Sequence, residues 1–227
     1  PSGLSDAGDA ISATTTYTVV NAAVDNSLTG GTDDNAPTHA EIGTALNLFA
    51  DSTTVDVNLL FAYPDANAEA NIAGYLITIV NGRKDCMAFV SPPIEDSRDT
   101  LAETKVLEWV NGLNSTSYAS TDSSAVYVYD KYNDVYRWIG AAGHTAGLCA
   151  NTDTVADAWF SPAGVNRGQL LGITKLAWNP SKANRDALYK ARCNPLVSLP
   201  GQGTIMFGDK TLLKRPSAFD RINVRRL

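Results

Sequence analysis

His144 stands five residues before Cys149 in the stretch GAAGHTAGLCANTD, and an imidazole beside a thiol is the raw material of a nucleophile–base pair. On a helix that spacing sets the two side chains about 140° apart, so they do not face each other. A structural histidine among small residues is the better reading. A second cluster, TDDNAPTHAE, offers Asp33, Asp34, His39 and Glu41 as metal ligands. Acidic loops of this kind are ordinarily just solvated, and His39 falls in the first turn of a helix, exposed. AGVNRGQ carries two glycines four apart but lacks the Lys-Ser/Thr that completes a phosphate cradle. No G-x-G-x-x-G follows a strand, and neither a G-x-x-x-x-G-K-[ST] loop nor a G-x-S-x-G elbow occurs. Ser161, in FSPAG, is followed by proline and reads as a turn residue. The NST at Asn114 matches a glycosylation acceptor but means nothing without secretory evidence. Cys86, Cys149 and Cys193 lie far apart, are odd in number and form no CxxC pair, so neither a zinc site nor a disulfide framework is indicated. Cys86 reads as a small buried hydrophobe, and a reducing compartment fits best. The residues therefore assign no catalytic group, no cofactor and no metal, and several missing motifs together lower the case for an enzyme.

The elements that would position any site follow from periodicity. Residues 1–37 are rich in Ser, Thr, Gly, Asp and Asn; only TTTYTVVNAAV reads as a strand there. Thr38 and Glu41 spell a capping box before Ile42, Leu46 and Phe49 on one helical face. TVDVNLLFAY reads as a strand, NAEANIAGYLITIVNG as a helix stopped by Gly82, and CMAFVSPP as a strand buried on both faces. Thr100 and Glu103 spell a second capping box before a helix ending at Gly112, and SAVYVYD is the next strand. Helix and strand thus alternate, which predicts an α/β architecture: a layered, largely parallel sheet with helices packed on its faces. Residues 131–168 are less regular, with a close-packed helix in the small-residue segment. QLLGITKLAW is strand or helix. Asn179-Pro180 opens a helix with proline at its first position, running to Asn194-Pro195. GTIMFGDKTLL reads as a strand broken at Gly208-Asp209, a candidate hairpin. The chain closes on SAFDRINVRRL, a basic amphipathic turn capped by Ser217 or Asp220, whose apolar face has no room to meet a partner. With Pro1 at its start, the chain reads as a piece of a longer polypeptide.

At 227 residues the chain is one large domain or a domain with an appendage, long enough to bury about 70% of its unfolded surface. The net charge of −6 is unevenly spread. Before Arg83 there are ten acids and no Lys or Arg, whereas from Lys175 onward eleven bases face three acids. Such polarity suits head-to-tail self-association, although two solvated faces of opposite sign are the simpler reading. The basic third has neither interleaved aromatics nor a binding motif, which ranks nucleic-acid binding low. No stretch approaches the ~20 apolar residues of a membrane span.

Two long segments, YDKYNDVYRWIGAAGHTAGLCANTDTVADAWFSPAGVNRGQLLGITKLAW and GDKTLLKRPSAFDRINVRRL, resemble the contractile tail sheath protein of myovirus bacteriophages, especially the T-even type. Weaker similarity reaches back through CMAFVSPP, so that the resemblance covers residues 36–227. It implies a tail-sheath core domain over residues 38–218, preceded by the polar end of an outer domain (1–37) and followed by the start of a truncated tube-facing domain (219–227). It further implies a structural, non-enzymatic subunit that self-assembles into stacked hexameric rings around the tail tube protein, between baseplate and tail terminator proteins. Contraction of the rings would drive the tube through the host envelope. The subunit would belong to the virion tail, with assembly in the host cytoplasm, and would involve neither nucleic acid nor membrane insertion. Within that frame Tyr132, Trp138 and Trp159 are expected as core anchors, and Asn166-Arg167-Gly168 as a loop clasp in which Arg167 donates hydrogen bonds. Lys210, Lys214, Arg215, Arg221, Arg225 and Arg226 are candidate contacts to neighbouring subunits or the tube, each weighed against an ordinary solvated charge. The rival readings are the sheath of a bacterial, pyocin-like apparatus and a small-molecule enzyme. The enzyme would need a deep pocket at the strand carboxyl ends holding perturbed carboxylates or a Cys–His contact.

Overall fold

In the computed structural model, helix formation begins at a cap. The Glu41 carboxylate accepts from Thr38 N (2.7 Å) and Thr38 Oγ1 accepts from Glu41 N (3.4 Å), closing the expected box ahead of α1, His39–Asn47. The structure describes residues 30–31, 37–64 and 71–226. The strand read at TTTYTVVNAAV, the pair Asp33 and Asp34, and Leu227 lie outside the described residues. Strand β1 (Leu59–Phe61) and helix α2 (Ile72–Arg83) follow. α2 runs past Gly82, the expected stop, and ends on Lys84 in a left-handed conformation (φ 63°). Arg83 fixes that last turn. Its guanidinium donates to the carbonyls of Phe49 (2.7 Å) and Val55 (2.8 Å) and pairs with Asp85 at 2.9 Å.

Strand β2 (Met87–Val90), helices α3 (Ile94–Arg98) and α4 (Ala102–Gly112), and strand β3 (Ala119–Asp122) come next. The second capping box does not form. The Asp99 carboxylate accepts from Leu101 N (2.9 Å) and from the Thr100 hydroxyl (3.3 Å), while the Glu103 carboxylate accepts from the Asn184 side chain. The remaining elements are β4 (Val126–Asp130), β5 (Val135–Ile139), α5 (Ala142–Val155), β6 (Ile173–Leu176) and α6 (Lys182–Lys190). They are followed by β7 (Cys193–Asn194), β8 (Leu196–Leu199), β9 (Gly203–Met206), a 3-10 turn at Ala218–Asp220, and α7 (Ile222–Arg226).

The central sheet is parallel throughout, in the order β1-β2-β3-β7, with Leu59 opposite Met87, Ala88 opposite Ala119 and Thr121 opposite Cys193. Its third strand is ASTD rather than SAVYVYD. The latter supplies β4, the middle of a separate antiparallel sheet ordered β5-β4-β6. QLLGITKLAW resolves as strand β6. β8 and β9 form a third, two-stranded sheet whose hairpin turn is at residues 200–202, not at Gly208-Asp209. Helix α6 is capped by Ser181, whose side chain accepts from Asn184 N, so Pro180 precedes the cap instead of opening the helix. The helix stops at Lys190 because Cys193 and Asn194 are drawn into the parallel sheet.

Period-two alternation along β2 divides the interior. Ala88 and Val90 enter a core with Ile77 and Val80 of α2, Val106 and Val110 of α4, and Leu188 of α6. Met87 and Phe89 enter a second core with Ala146 and Cys149 of α5, Val126, Leu176, Leu196 and Met206 of the antiparallel strands, and Ile222 of α7. The expected layered α/β architecture is present, with five antiparallel strands added on one side. Ile222 is fully buried, so the terminal turn does find a partner for its apolar face within the chain. Backbone bonds from Ile222 N to Asp209 O (2.7 Å) and Thr211 N to Asp220 O (2.9 Å) hold it there.

Candidate functional site

In a parallel sheet, ligands are expected beyond the carboxyl ends of the strands. Here those ends are closed by a buried polar network. The Ser91 hydroxyl, just past β2, donates to the Asp122 carboxylate at the end of β3 (2.5 Å) and accepts from Ala142 N at the start of α5 (2.8 Å). The other Asp122 oxygen accepts from Ser124 N (3.3 Å), and Ser123 Oγ accepts from Leu196 N (2.9 Å). The Asn194 amide donates to Ser120 Oγ (2.8 Å) and to the Thr121 (3.0 Å) and Lys210 (2.8 Å) carbonyls, and accepts from Lys210 N (2.7 Å). Polar side chains thus bind strand ends, helix start and loop into one piece, and Asp122 within it is 1% exposed. A neighbouring groove of about 580 Å³, lined by Phe61, Tyr63, Pro64, Ile139 and His144, is mainly apolar. Burial holds the His144 imidazole below its usual range. Cys149 is fully buried away from that groove, and its thiol is pushed up to about 12 by desolvation. No group of three or more His, Cys, Asp and Glu could hold a metal among the described residues. Of the acidic cluster, His39 is exposed and Glu41 is engaged in its capping box. All three cysteines are buried and unbridged.

Asp122 gives the fold a pH dependence. Burial pushes its carboxyl from the ordinary 3.8 to about 7, against the opposing hydrogen bonds from Ser91 and Ser124. The folded state therefore keeps this proton up to about pH 7, whereas the unfolded chain releases it near 3.8. Over that window the native state binds more protons, so stability falls as pH rises and levels off above it. Asp122→Asn is expected to remove that slope. Urea midpoints for both proteins between pH 4.5 and 8 check it, and parallel pH profiles would contradict it.

The expected loop clasp lies beside β9. Arg167 Nε donates to the Ser161 carbonyl (2.9 Å), and its guanidinium sits over the Phe160 ring at 5.0 Å. Ser161 Oγ in turn donates to Asp209 (2.9 Å). Asn166 is exposed, while Gly168 is buried and makes two backbone bonds, to Gly164 O (2.7 Å) and from Met206 N (2.8 Å). The six candidate cations divide. Arg221 pairs with Asp209 and donates to the Tyr189 hydroxyl (2.6 Å), Lys210 lies 4.4 Å over the Tyr189 ring, Arg225 lies 3.6 Å over Tyr118, and Arg226 pairs with Asp153. Lys214 and Arg215 alone of the six are exposed, with no side-chain partner among the described residues.

Two of the expected core anchors are not in a core. Tyr132 is 87% exposed at the tip of the β4–β5 hairpin, and Trp159 is 56% exposed in the loop after α5. Trp138 is half-buried and belongs to an aromatic strip on the antiparallel sheet. Its ring is 4.7 Å from Tyr127, which stacks on Tyr136 at 5.3 Å, and Tyr136 lies 5.1 Å from Tyr129. Lys175 caps Tyr127 at 4.9 Å, and Arg98 caps Trp138 at 5.4 Å. The signal for this strip was available: VYVYD and VYRWI alternate around DKYND, a turn whose Asp130 carboxylate accepts from Tyr132 N at 3.1 Å.

Comparison with known proteins agrees with a structural reading. The model of the phage tail sheath protein central domain matches residues 38–212. The tail sheath protein of Enterobacteria phage T4 is 42% identical over 217 residues, covering 88% of this chain and 33% of that protein. That of Vibrio phage KVP40 is 42% identical over 219 residues, covering 87% and 32%. The chain spans about a third of the length of these curated relatives. A chain in the cryo-EM structure of the anti-feeding prophage baseplate superposes with a TM-score of 0.64 at 16% identity, over 84% of this chain and 48% of that one. For the contracted helical sheath of the same prophage the values are 0.62, 17%, 85% and 49%. At such identities these two structures share the fold.

Proposed function

This chain belongs to the phage tail sheath protein family, spanning its central domain, and from that premise we propose that it is the load-carrying core of a contractile tail sheath subunit. Copies of the whole subunit stack as hexameric rings around a tail tube, between baseplate and terminator proteins, in a tail assembled in the host cytoplasm. The observation that carries this reading is the 42% identity with the T4 tail sheath protein over 217 residues. The interior is consistent with it: two packed cores and a satisfied polar network make a block that can rotate as one body while its outer contacts exchange. Exposed ion pairs are individually worth about 0–1 kcal/mol, so a lattice can swap them cheaply and gain by repetition. In this proposal residues 38–218 are the core, 219–227 lead toward the tube-facing part, and Lys214 and Arg215 are the cations free to meet a neighbour. The other four serve their own chain. A pyocin-like apparatus shares the mechanics, but the viral relatives are much the more similar in sequence.

A chimera tests the proposal. Residues 38–212 replace the matching segment of the T4 sheath protein, and the product is examined by negative-stain microscopy. Ordered tubes are expected; a folded chimera that never polymerises would contradict it. The chain by itself is expected to sediment as a monomer or a weak associate, and stable hexamers or tubes would speak against the need for the remaining domains.

A further inference from the structure

The two lateral ends of the parallel sheet carry opposite charge. At the β1 end, α1 packs on α2 and buries only Gly43. The turn after it leaves Leu48 73% and Phe49 37% exposed. Arg83, the first basic residue of the chain, is committed there: its fully buried side chain pairs with Asp85 and joins the Phe49 and Val55 carbonyls. That clasp brings exposed Asp51 and Asp56 to one patch at the amino end of β1. At the other end, α6 packs on β7 and buries only Leu188, with Lys190 exposed on its last turn. Arg192 donates to the Leu212 carbonyl (2.9 Å), Leu212 N to Ala119 O (2.9 Å), and Lys214 N to Ser115 Oγ (2.8 Å). These bonds fix Lys214 and Arg215, both exposed, at the amino end of β3, on the flank of Lys190. None of Asp51, Asp56, Lys190, Lys214 and Arg215 is in an ion pair among the described residues. The minority signs are Lys84 on the acidic flank and, on the basic one, Asp186 and Glu103, the latter engaged by the Asn184 amide.

Opposite flanks of one sheet cannot meet within a chain, but they are complementary between copies. We propose that they are the two halves of one lateral contact, in which the turn after α1 of one copy takes Lys190, Lys214 and Arg215 of the next. The proposal rests on the reading of this chain as a subunit that adheres to its own copies, and it names the surfaces. Two different patches make the contact heterologous, so it propagates as a ring or a helical row instead of closing as a dimer. Leu48 and Phe49 give carbon surface on which the aliphatic stems of the incoming cations can lie. The charges stay near solvent, so each pair is weak and the contact is sensitive to salt.

Sedimentation equilibrium of the chain tests it, at about 0.01 M salt, where the Debye length is about 30 Å, and at about 1 M, where it is about 3 Å. A mean mass that rises with concentration at low salt and returns to the monomer at high salt is expected. Lys214→Glu with Arg215→Glu should weaken association about tenfold, and so, separately, should Asp51→Lys with Asp56→Lys. An equimolar mixture of the two variants should restore it, because their reversed flanks match each other. The Asp→Lys variant moves the net charge of −6 toward zero, so general repulsion would strengthen its association and only a specific contact weakens it. Asp51 also accepts from Thr53 N (2.9 Å), so Asp56→Lys alone carries the comparison if the double variant does not fold. A chain monomeric at both salts, association unchanged in the variants, or a mixture no stronger than its components overturns the contact. If the chimera still forms ordered tubes beside such a result, the sheath reading stands without this contact. A chimera that never polymerises counts against that reading, whatever the variants do.

Discussion

Phe89→Ala is expected to destabilise the fold by about 3–5 kcal/mol, the range for emptying a large aromatic site in a packed core. Phe89 is 1% exposed on β2, which has a parallel neighbour on each side, so the sheet cannot collapse into the space without breaking two ladders. The side chain fills the second core beside α5, the antiparallel strands and Ile222. Its loss should therefore loosen the terminal turn as well as the sheet. For a chain of this size the thermal midpoint should fall by roughly 6–20 °C. Tyr132→Ala is the control: at 87% exposure it should change stability by no more than about 0.5 kcal/mol. Equal losses from the two substitutions would refute the division into two cores described above.

Gly168→Ala should cost about 3 kcal/mol, at the upper end of overpacking effects because the obstruction is backbone. A Cβ at this position would lie 2.7 Å from Gly164 N and Met206 O and 2.8 Å from Gly164 O. These atoms already form the clasp: Gly164 N donates to Met206 O (2.9 Å), Gly168 N to Gly164 O and Met206 N to Gly168 O. A methyl group can enter only by separating the 164–168 loop from β9. The residue is not in the left-handed region, so space alone decides the outcome. Gly147, exposed on α5 with open space at its Cβ, provides the contrast: alanine there should be neutral or stabilising by up to about 1 kcal/mol. Urea unfolding of the two variants side by side is the measurement, and a harmless Gly168→Ala would show that the clasp is not tight.

These two sites also show what could be read from sequence. CMAFVSPP announced a strand buried on both faces because continuous apolarity is the mark of such a strand, and β2 with Phe89 is that strand. Thr38 and Glu41 could be read because a capping box is local. The polar third strand could not: Ala119–Asp122 is buried through bonds to Asn194, Lys210 and Ser91, all distant in the chain. Asp99, one residue before Thr100, defeated the second capping box by taking its hydroxyl. Residue type alone points Tyr132 and Trp159 toward a core, but the turn and the loop that carry them face solvent. Four of the candidate cations turned out to be engaged because Asp153, Tyr118, Tyr189 and Asp209 come together only in three dimensions.

The claim on which the rest depends is that this core works by adhering to copies of itself within an array. Electron microscopy of the full-length parent protein, expressed alone, tests it most directly. Tubes with a regular ring repeat are predicted. A well-folded parent that stays dispersed, with no repeat under any assembly condition, would contradict the account.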